Sequence, residues 1–294
     1  MTRAALAPEA STLAARRRAV TPTTYGIVAI SIAVIAIMAA PIVLSALASI
    51  KTAADASAIP PRYLPRALSF ENYAKVFQFQ AGLATYVANS ALVAAMTIAA
   101  CLALAAPAGY GLARFAMRGK EIAFLVLLAP IMIPYQAILT PLYLDFAKVG
   151  LVNTHLGLAI VHTILQLPFS IFLMRASFEA IPREIEEAAV VDGCSTWQRL
   201  TRIFLPLTAP GLVTVALFAF INSWNEFLAA LIFMNRNTSF TVPILLVSVR
   251  AGKFGAVDWG ALQASVIVSI IPCLAVYLAL QRYYISGLLS GAVK

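Results

Sequence analysis

The residue types that usually carry out catalysis or bind metals are few in this sequence and lie far apart. The three cysteines and two histidines, Cys101, Cys194, Cys273, His155 and His162, show neither metal-ligand nor redox spacing. Cys101 and Cys273 fall inside apolar segments, where cysteine behaves as a small hydrophobic side chain. The chain also lacks a paired-aspartate dyad, an H-E-x-x-H motif and a nucleophile with a partner base. We therefore expect no metal centre and no enzymatic site.

A motif for nucleotide phosphates is also missing. A phosphate-binding loop of the form G-x-x-x-x-G-K-[ST] surrounds the phosphates with backbone amides and places a lysine and a hydroxyl beside them. The nearest segment, Arg118-Gly119-Lys120-Glu121, lacks both the leading glycine and the hydroxyl residue. We expect this chain to bind no nucleotide or other cofactor of its own.

A different pattern lies between residues 176 and 206. Pro182 suits the first turn of a helix, and the glutamates that follow it complement the positive end of that helix. Residues at i, i+3, i+4 and i+7 form a small, flat face, made of Ile185, Ala188, Ala189 and Asp192. Gly193 can take the left-handed conformation that ends a helix. The pattern predicts a short helix with one small-residue face.

A second helix is predicted directly after Gly193. Ser195 and Gln198 have the spacing of a capping box, which starts a helix. The apolar side of this helix consists of Trp197, Leu200, Ile203 and Phe204, and Pro206 and Pro210 end it. A helix–glycine–helix unit with a small-residue face is suited to the groove of another protein. A solvated amphipathic linker is the alternative interpretation.

The composition of the chain indicates the surroundings of the elements that hold this loop. Of the 294 residues, 62% are hydrophobic and 11% charged, against about 25% charged in an ordinary soluble domain. A lipid bilayer can cover this much apolar surface, whereas a soluble core of this size cannot. The net charge of +9 does not indicate nucleic-acid binding, because the basic residues form no stripe with interleaved aromatics.

Six apolar runs are long enough to cross about 30 Å of hydrocarbon. They are residues 27–50, 86–112, 122–142, 156–174, 212–233 and 259–284. Several contain prolines, which a helix bundle tolerates because neighbouring groups satisfy the freed backbone. The first run is longer than the roughly 7–15 apolar residues of a signal peptide, so we expect it to be retained. The sequence predicts an all-α integral membrane protein with six transmembrane helices.

Lysine and arginine indicate the orientation, because they accumulate in cytoplasmic loops. With the N-terminus inside, 13 of the 21 basic residues fall on the cytoplasmic side and 8 outside. Both termini are therefore predicted to be cytoplasmic. The predicted organisation is a cytoplasmic N-terminal segment (1–26), a first span (27–50), an external loop (51–85), a core (86–284) that carries the cytoplasmic loop 176–206, and a cytoplasmic tail (285–294).

Polar side chains inside the predicted spans are costly and usually face a bundle interior or a cavity. Glu226 lies about 21 Å along the fifth span from Leu212, in the outer half of the hydrocarbon layer. We expect a pathway or its gate to be lined by Asn89, Asn222, Trp224, Asn225 and Glu226. Hydrogen bonding between helices, at about 0.6 kcal/mol a bond, is the alternative.

The loop at 176–206 also matches a family signature. Glu187-Ala188-Ala189, then Gly193, then Ile203-x-Leu205-Pro206 resemble the EAA signature of binding-protein-dependent ABC importer permeases. The run Trp224-Asn225-Glu226-Phe227 and the tail 287–294 resemble the carbohydrate branch, close to the smaller membrane subunit of maltose-type transporters. The resemblance covers nearly the whole chain and is most specific from about residue 85 onward.

The resemblance implies a type I ABC importer permease fold in the bacterial inner membrane and ATP-driven import of mono-, di- or oligosaccharides. The implied partners are a second homologous permease subunit, two ATP-binding subunits that hold ATP and Mg, and an extracytoplasmic solute-binding protein. This chain would form half of the translocation pathway. In maltose-type transporters the larger membrane subunit supplies most sugar contacts, which favours a gate role here.

The resemblance also implies residue roles. The helix ending at Gly193 would be the coupling helix, seated in a cleft of an ATP-binding subunit. The residues implied to couple to that subunit are Glu187, Ala188, Ala189, Asp192, Gly193, Ile203, Leu205 and Pro206, and the tail residues implied to contact it are Ser290, Gly291 and Ala292.

Other functions remain alternatives. An ABC permease for polyamines or glycerol phosphate would share the same loop. An ion-coupled secondary transporter would need acidic residues inside its spans, and only Glu226 lies clearly within one. An intramembrane enzyme is disfavoured by the missing catalytic motifs.

Overall fold

The computed structural model describes residues 22–251 and 257–292, with side chains at 24–250 and 257–281. Most of the predicted N-terminal segment (1–26) therefore lies outside the described residues, as do Val293 and Lys294 of the predicted tail. All regular elements of the described part are helical, which confirms the all-α class.

The elements follow one another as a series of long helices separated by short ones. They are α1 (Pro22–Ser49), α2 (Ala53–Ala56), α3 (Glu71–Phe77), α4 (Leu83–Arg114), α5 (Lys120–Leu128), a 3-10 turn (Ala129–Met132), α6 (Tyr135–Lys148), α7 (His155–Glu179), α8 (Arg183–Val191), α9 (Thr196–Gln198), a π-helical stretch (Arg199–Phe204), α10 (Leu205–Leu207), α11 (Ala209–Asn225), α12 (Leu228–Phe233), a 3-10 turn (Asn237–Ser239), α13 (Val242–Ala251) and α14 (Trp259–Ala292).

The chain separates into two compact units between Leu44 and Ser45, inside α1. In the first unit, α1 exposes nearly all its side chains between residues 24 and 44. A helix that is apolar on all sides is suited to a lipid surrounding. The second unit contains the rest of the described helices and their core.

Four helices are long and apolar enough to cross a membrane, judged by length and composition. They are Thr24–Ser49, Leu83–Arg114, His155–Glu179 and Trp259–Gln281. Two bent pairs meet the same criteria when each is taken together: Lys120–Met132 with Tyr135–Lys148, and Thr196–Leu207 with Ala209–Asn225. The described residues thus hold four to six potential spans, and the expected number of six stays a prediction.

The predicted third span, 122–142, is broken rather than continuous. The helices on either side of the break are bent by 97° relative to each other. Pro130 and Pro134 lack the amide proton that a helix needs, and Ile133, which precedes a proline, is extended. The prolines therefore divide this segment into α5, a 3-10 turn and α6.

The predicted fifth span, 212–233, is also broken. Its first part is α11, which ends at Asn225, and α12 begins at Leu228. Between them Glu226 is extended, with φ −70° and ψ 121°. No proline stands at this break, and its cause is the side-chain chemistry of Glu226 described below.

The core of the second unit lies where α4, α7 and α11 pack together. Gly109 marks the closest approach of α4 to α7, because a Cβ there would lie 2.7 Å from Met174 Cβ and 2.8 Å from the Arg175 amide nitrogen. Small residues allow such backbone approach between apolar helices. Three aromatic rings, Tyr110, Phe178 and Phe204, close the end of this core that adjoins α8, with centroids 5.2–6.2 Å apart.

Candidate functional site

The helix α8 ends in a Schellman motif. The Gly193 amide donates to the Val190 carbonyl and the Cys194 amide to the Ala189 carbonyl, both at 3.0 Å. Gly193 has a φ of +76°, the left-handed conformation that this turn requires. The helix therefore ends at Gly193, as the sequence predicted.

The residues of the predicted small-residue face of α8 differ in how deeply they are buried. Ala189 is buried, with 4% of its surface exposed, whereas Ile185, Ala188 and Asp192 are exposed. The predicted face is therefore buried at Ala189 and exposed at its other three positions. Ala189 turns inward because the helix packs on the core with one narrow edge, and its other sides stay open.

The exposed sides of α8 present apolar side chains. Val190 and Val191 at its C-terminal end are exposed, and so is Ile185 one turn earlier. A recess of about 380 Å³ adjoins them and is lined by Ala113, Arg114, Arg183, Glu186, Glu187, Val190 and Val191. The exposed apolar end of α8, formed by Val190 and Val191, can dock another protein chain.

The second helix of the loop begins as predicted. Ser195 Oγ accepts a hydrogen bond from the backbone amide of Gln198. Gln198 Oε1 accepts one from the backbone amide of Ser195, which completes the capping box. Leu200 and Phe204 are buried, as expected for the apolar side. Trp197 is 69% exposed, contrary to the prediction, because only the later turns of this segment reach the core around Phe204.

Ion pairs hold the loop to the helix bundle. Glu186 points inward from α8, where its carboxylate oxygens lie 3.2 Å from the Tyr110 hydroxyl, 3.3 Å from Arg199 Nη1 and 3.8 Å from Arg114 Nη1. Sequence reasoning missed this role of Glu186, which had been assigned only to the helix dipole. One of three glutamates in the first turns of a helix, Glu186 gives no local sign that it faces inward.

A buried polar cluster joins α7 to α11. His162 Nδ1 lies 2.9 Å from Ser223 Oγ, and Nε2 lies 3.3 Å from Glu226 Oε2. The tautomer protonated at Nε2 donates to the carboxylate and accepts the serine hydroxyl, so it satisfies both contacts. One turn away, Asn222 Nδ2 donates to Gln166 Oε1 at 2.6 Å.

Glu226 also explains the break between α11 and α12. Its carboxylate accepts from the Ala229 amide at 2.7 Å and from the Ala230 amide at 3.0 Å, two of the unpaired donors at the start of α12. His162 had been noted in the sequence only as lacking metal-ligand spacing, and its pairing with Glu226 was missed. The available signal was that each is an ionisable side chain inside an apolar run.

The residues predicted to line a pathway fall into two groups. Trp224 is 2% exposed, stacks on Phe220 and donates to the Ser269 carbonyl, so it acts in packing here. Asn89 is buried and donates to the carbonyls of Thr238 and Phe240. In contrast, Asn222 and Asn225 are exposed along one side of α11, and Glu226 is partly exposed. A pathway role stays a prediction, and the exposed asparagines fit it best.

The remaining predicted positions lie near the ends of their segments. Ile203 and Leu205 are partly buried against the core that contains Phe204, and Pro206 stands in the first turn of α10. The backbone of Ser290, Gly291 and Ala292 continues α14, and their side chains lie outside the described residues. Among the described residues, no group of three or more His, Cys, Asp or Glu side chains could hold a metal ion.

Comparison with known proteins decides the family. Residues 105–289 match the family model described as the binding-protein-dependent transport system inner membrane component. The chain belongs to this family. The resemblance inferred from the EAA signature is thereby confirmed, and so is the place of the protein among inner membrane components of transport systems.

Curated relatives of this permease cover most of its length. It is 36% identical over 231 residues to a probable ABC transporter permease protein of Bacillus subtilis, covering 79% of this chain and 76% of the relative. It is 32% identical over 227 residues to a trehalose/maltose transport system permease protein of Thermococcus litoralis, covering 77% and 81%.

A solved structure shares the fold of the permease. It comes from a bacterial ABC transporter involved in the import of the acidic polysaccharide alginate, and it aligns with a TM-score of 0.77 and 24% identity. The alignment covers 89% of this chain and 97% of that chain. The permease therefore has the fold of an ABC importer membrane subunit.

Proposed function

We propose that this permease is one of two membrane subunits of an ATP-driven importer of sugars. The observation that carries the proposal is α8, a short helix ended by a Schellman turn, fixed to the core along one edge and exposed on its apolar sides. A sugar cargo is supported by the Thermococcus litoralis relative, whose name specifies trehalose and maltose. An ABC permease for a polyamine or glycerol phosphate is the alternative.

The proposed assembly contains four kinds of part. Two ATP-binding subunits hold ATP and Mg and receive α8, a second homologous permease subunit completes the pathway, and an extracytoplasmic binding protein delivers the solute. In this arrangement the chain crosses the membrane six times with both termini in the cytoplasm. The family description supports the dependence on a binding protein.

The proposed mechanism is alternating access. Closure of the ATP-binding subunits moves α8, and the movement passes to the helices that enclose the pathway. Such coupling requires an element with two arrangements that both sites influence. Asn222 and Asn225, exposed on α11, are proposed to line the pathway or its gate, with Glu226 holding the break at the end of that helix.

Reconstitution tests the proposal. The complete complex, placed in proteoliposomes with its binding protein, should take up labelled maltose or trehalose when ATP and Mg are enclosed, and it should not do so with a non-hydrolysable ATP analogue. Labelled spermidine and glycerol 3-phosphate serve as competing substrates. Uptake by this chain without ATP-binding subunits, driven by a proton or sodium gradient, would show instead that it is a secondary transporter.

A further inference from the structure

Arg114, the last residue of α4, contacts three other segments at once. Its guanidinium donates to the carbonyls of Phe178 and Ile181, the latter at 2.6 Å, just where α7 ends. Its Nη1 lies 3.8 Å from a Glu186 carboxylate oxygen on α8. Its Cζ lies 4.9 Å from the centroid of the Phe204 ring, close enough for a cation–π contact.

Glu186 receives these contacts from the α8 side. Besides Arg114, its carboxylate meets the Tyr110 hydroxyl of α4 and Arg199 of the second helix in the loop. The Arg114 side chain is 5% exposed and that of Glu186 18%, so water screens the pair weakly. The two side chains therefore connect α8 to α4, to the end of α7 and to the second helix of the loop.

Arg175, another arginine at this end of the bundle, pairs with carboxylates that are more exposed than Glu186. Arg175 bridges Glu121 and Glu179, but those carboxylates are 61% and 46% exposed. Exposed pairs contribute little and break easily, whereas a buried pair resists the removal of either partner. The pair of Arg114 with Glu186 is, by contrast, a buried ion pair that joins α8 to the end of α4.

We infer that Arg114 and Glu186 are positioning residues that transmit the movement of α8 into α4 and α7. This inference rests on the proposed function, since it assumes that α8 is moved by an ATP-binding subunit. The planar guanidinium is held by its hydrogen bonds to the end of α7 and pairs with Glu186 at 3.8 Å, so a shift of α8 pulls on a side chain fixed to both α4 and α7. The assigned role belongs to residues outside the EAA signature itself.

Arg114→Met tests the inference, because methionine retains the apolar stem and loses every polar contact. In the complete reconstituted complex, basal ATP hydrolysis should persist, because the exposed docking sides of α8 are unchanged. The ATP-dependent change in the labelling rate of a pathway residue should fall by at least about 5-fold. Arg118→Met is the matched control, since Arg118 is an exposed arginine four residues further along the chain, in the connection between α4 and α5.

A cysteine reporter measures that movement without knowledge of the cargo. With Cys101, Cys194 and Cys273 replaced by alanine, Asn225→Cys is labelled by a membrane-impermeant maleimide from the outside, with ATP and with ATP plus vanadate. The parent and the Arg118→Met control should show an ATP-dependent labelling rate. The Arg114→Met protein should hydrolyse ATP, but its labelling rate should be nearly the same with and without ATP.

Glu186→Gln provides a second variant in case Arg114→Met fails to assemble. Its amide preserves the shape and one acceptor oxygen, and it should show the same loss of response to a smaller extent. If either variant hydrolyses ATP and keeps the full labelling response, the inference is overturned while the proposed function stands. If the parent itself shows no ATP-dependent labelling, the proposed function fails and the inference fails with it.

Discussion

At the scale of single residues, Gly193 forms the turn that ends α8, the helix proposed to dock an ATP-binding subunit. Its φ of +76° is unfavourable for residues with a side chain, most of all for β-branched ones. A Cβ on Gly193 would meet no atom within 4 Å, so a substitution there is opposed by the backbone alone. The effect of a substitution therefore reports on the turn and not on packing.

Replacing Gly193 by valine should disturb the end of α8 at a cost of roughly 1–2 kcal/mol. We expect the complex to assemble, ATP hydrolysis to persist and sugar uptake per ATP hydrolysed to fall, because the turn between the two helices of the loop is altered. Uptake and hydrolysis measured in the same proteoliposomes give this ratio.

Gly193→Asn is the matched control, because asparagine tolerates the left-handed conformation better than valine does. It should retain most of the coupling. Equal behaviour of the valine and asparagine variants would mean that the left-handed turn has no part in coupling.

At the scale of elements, the break between α11 and α12 depends on one carboxylate. The Glu226 carboxylate accepts hydrogen bonds from two backbone amides in the first turn of α12 and contacts His162 on α7. Because Glu226 directly follows α11, it links α11, α12 and α7. Breaks at Pro130 and Pro134 follow from a missing donor, whereas this break follows from an added acceptor. The direction of α12 is therefore fixed by α7 as well as by α11.

Glu226→Ala should lower the melting temperature of the detergent-solubilised protein. Loss of the cap alone costs about 0.5–2 kcal/mol, which corresponds to a fall of a few degrees in a protein of this size. Asn225→Ala is the comparison, because the exposed Asn225 side chain donates to the Ile221 carbonyl of its own helix and caps no other helix. Similar melting temperatures for the two variants would contradict the capping role.

At the scale of the whole molecule, an ion pair joins parts of the chain that are 183 residues apart. Lys75 of α3 lies 3.1 Å from Asp258, whose other oxygen accepts from the Ala261 amide in the first turn of α14. Burial opposes ionisation of Asp258, but the Ala261 amide and the Lys75 ammonium outweigh it and hold the pKa of this carboxyl below its ordinary value.

A carboxyl whose pKa is lowered on folding contributes stability above its ordinary pKa of 3.8 and loses it as the pH falls through the folded value. Asp258→Asn should therefore reduce stability at pH 7, and the difference from wild type should shrink as the pH falls below 3.8. Both side chains of the pair are about a third exposed, so we expect roughly 0.2–1 kcal/mol. Melting temperatures of both proteins across this pH range measure the difference.

Asp145→Asn is the control for that measurement, since Asp145 pairs with Lys148 on the exposed surface of α6. It should change the melting temperature little at any pH. A constant difference between wild type and Asp258→Asn from pH 7 to pH 3 would contradict the assigned ion pair.

The features that the sequence alone determined are those encoded by neighbouring residues. Long apolar runs predict helices suited to a bilayer, and Ser195 with Gln198 predicts a helix start, because both signals act within a few turns of chain. The family signature is likewise a local spacing. Even the break at Pro130 and Pro134 had a local cause, although the prolines were expected to be tolerated in a continuous helix.

Only the tertiary structure decided which polar side chains meet and which faces are buried. Glu186 meets Arg114 across 72 positions of sequence, and His162 meets Glu226 across 64. Trp224, a predicted pathway residue, packs inside, while Asn225 beside it stays exposed. The physical reason is that a contact between helices depends on how each is rotated and where it bends, and the whole packed bundle determines both.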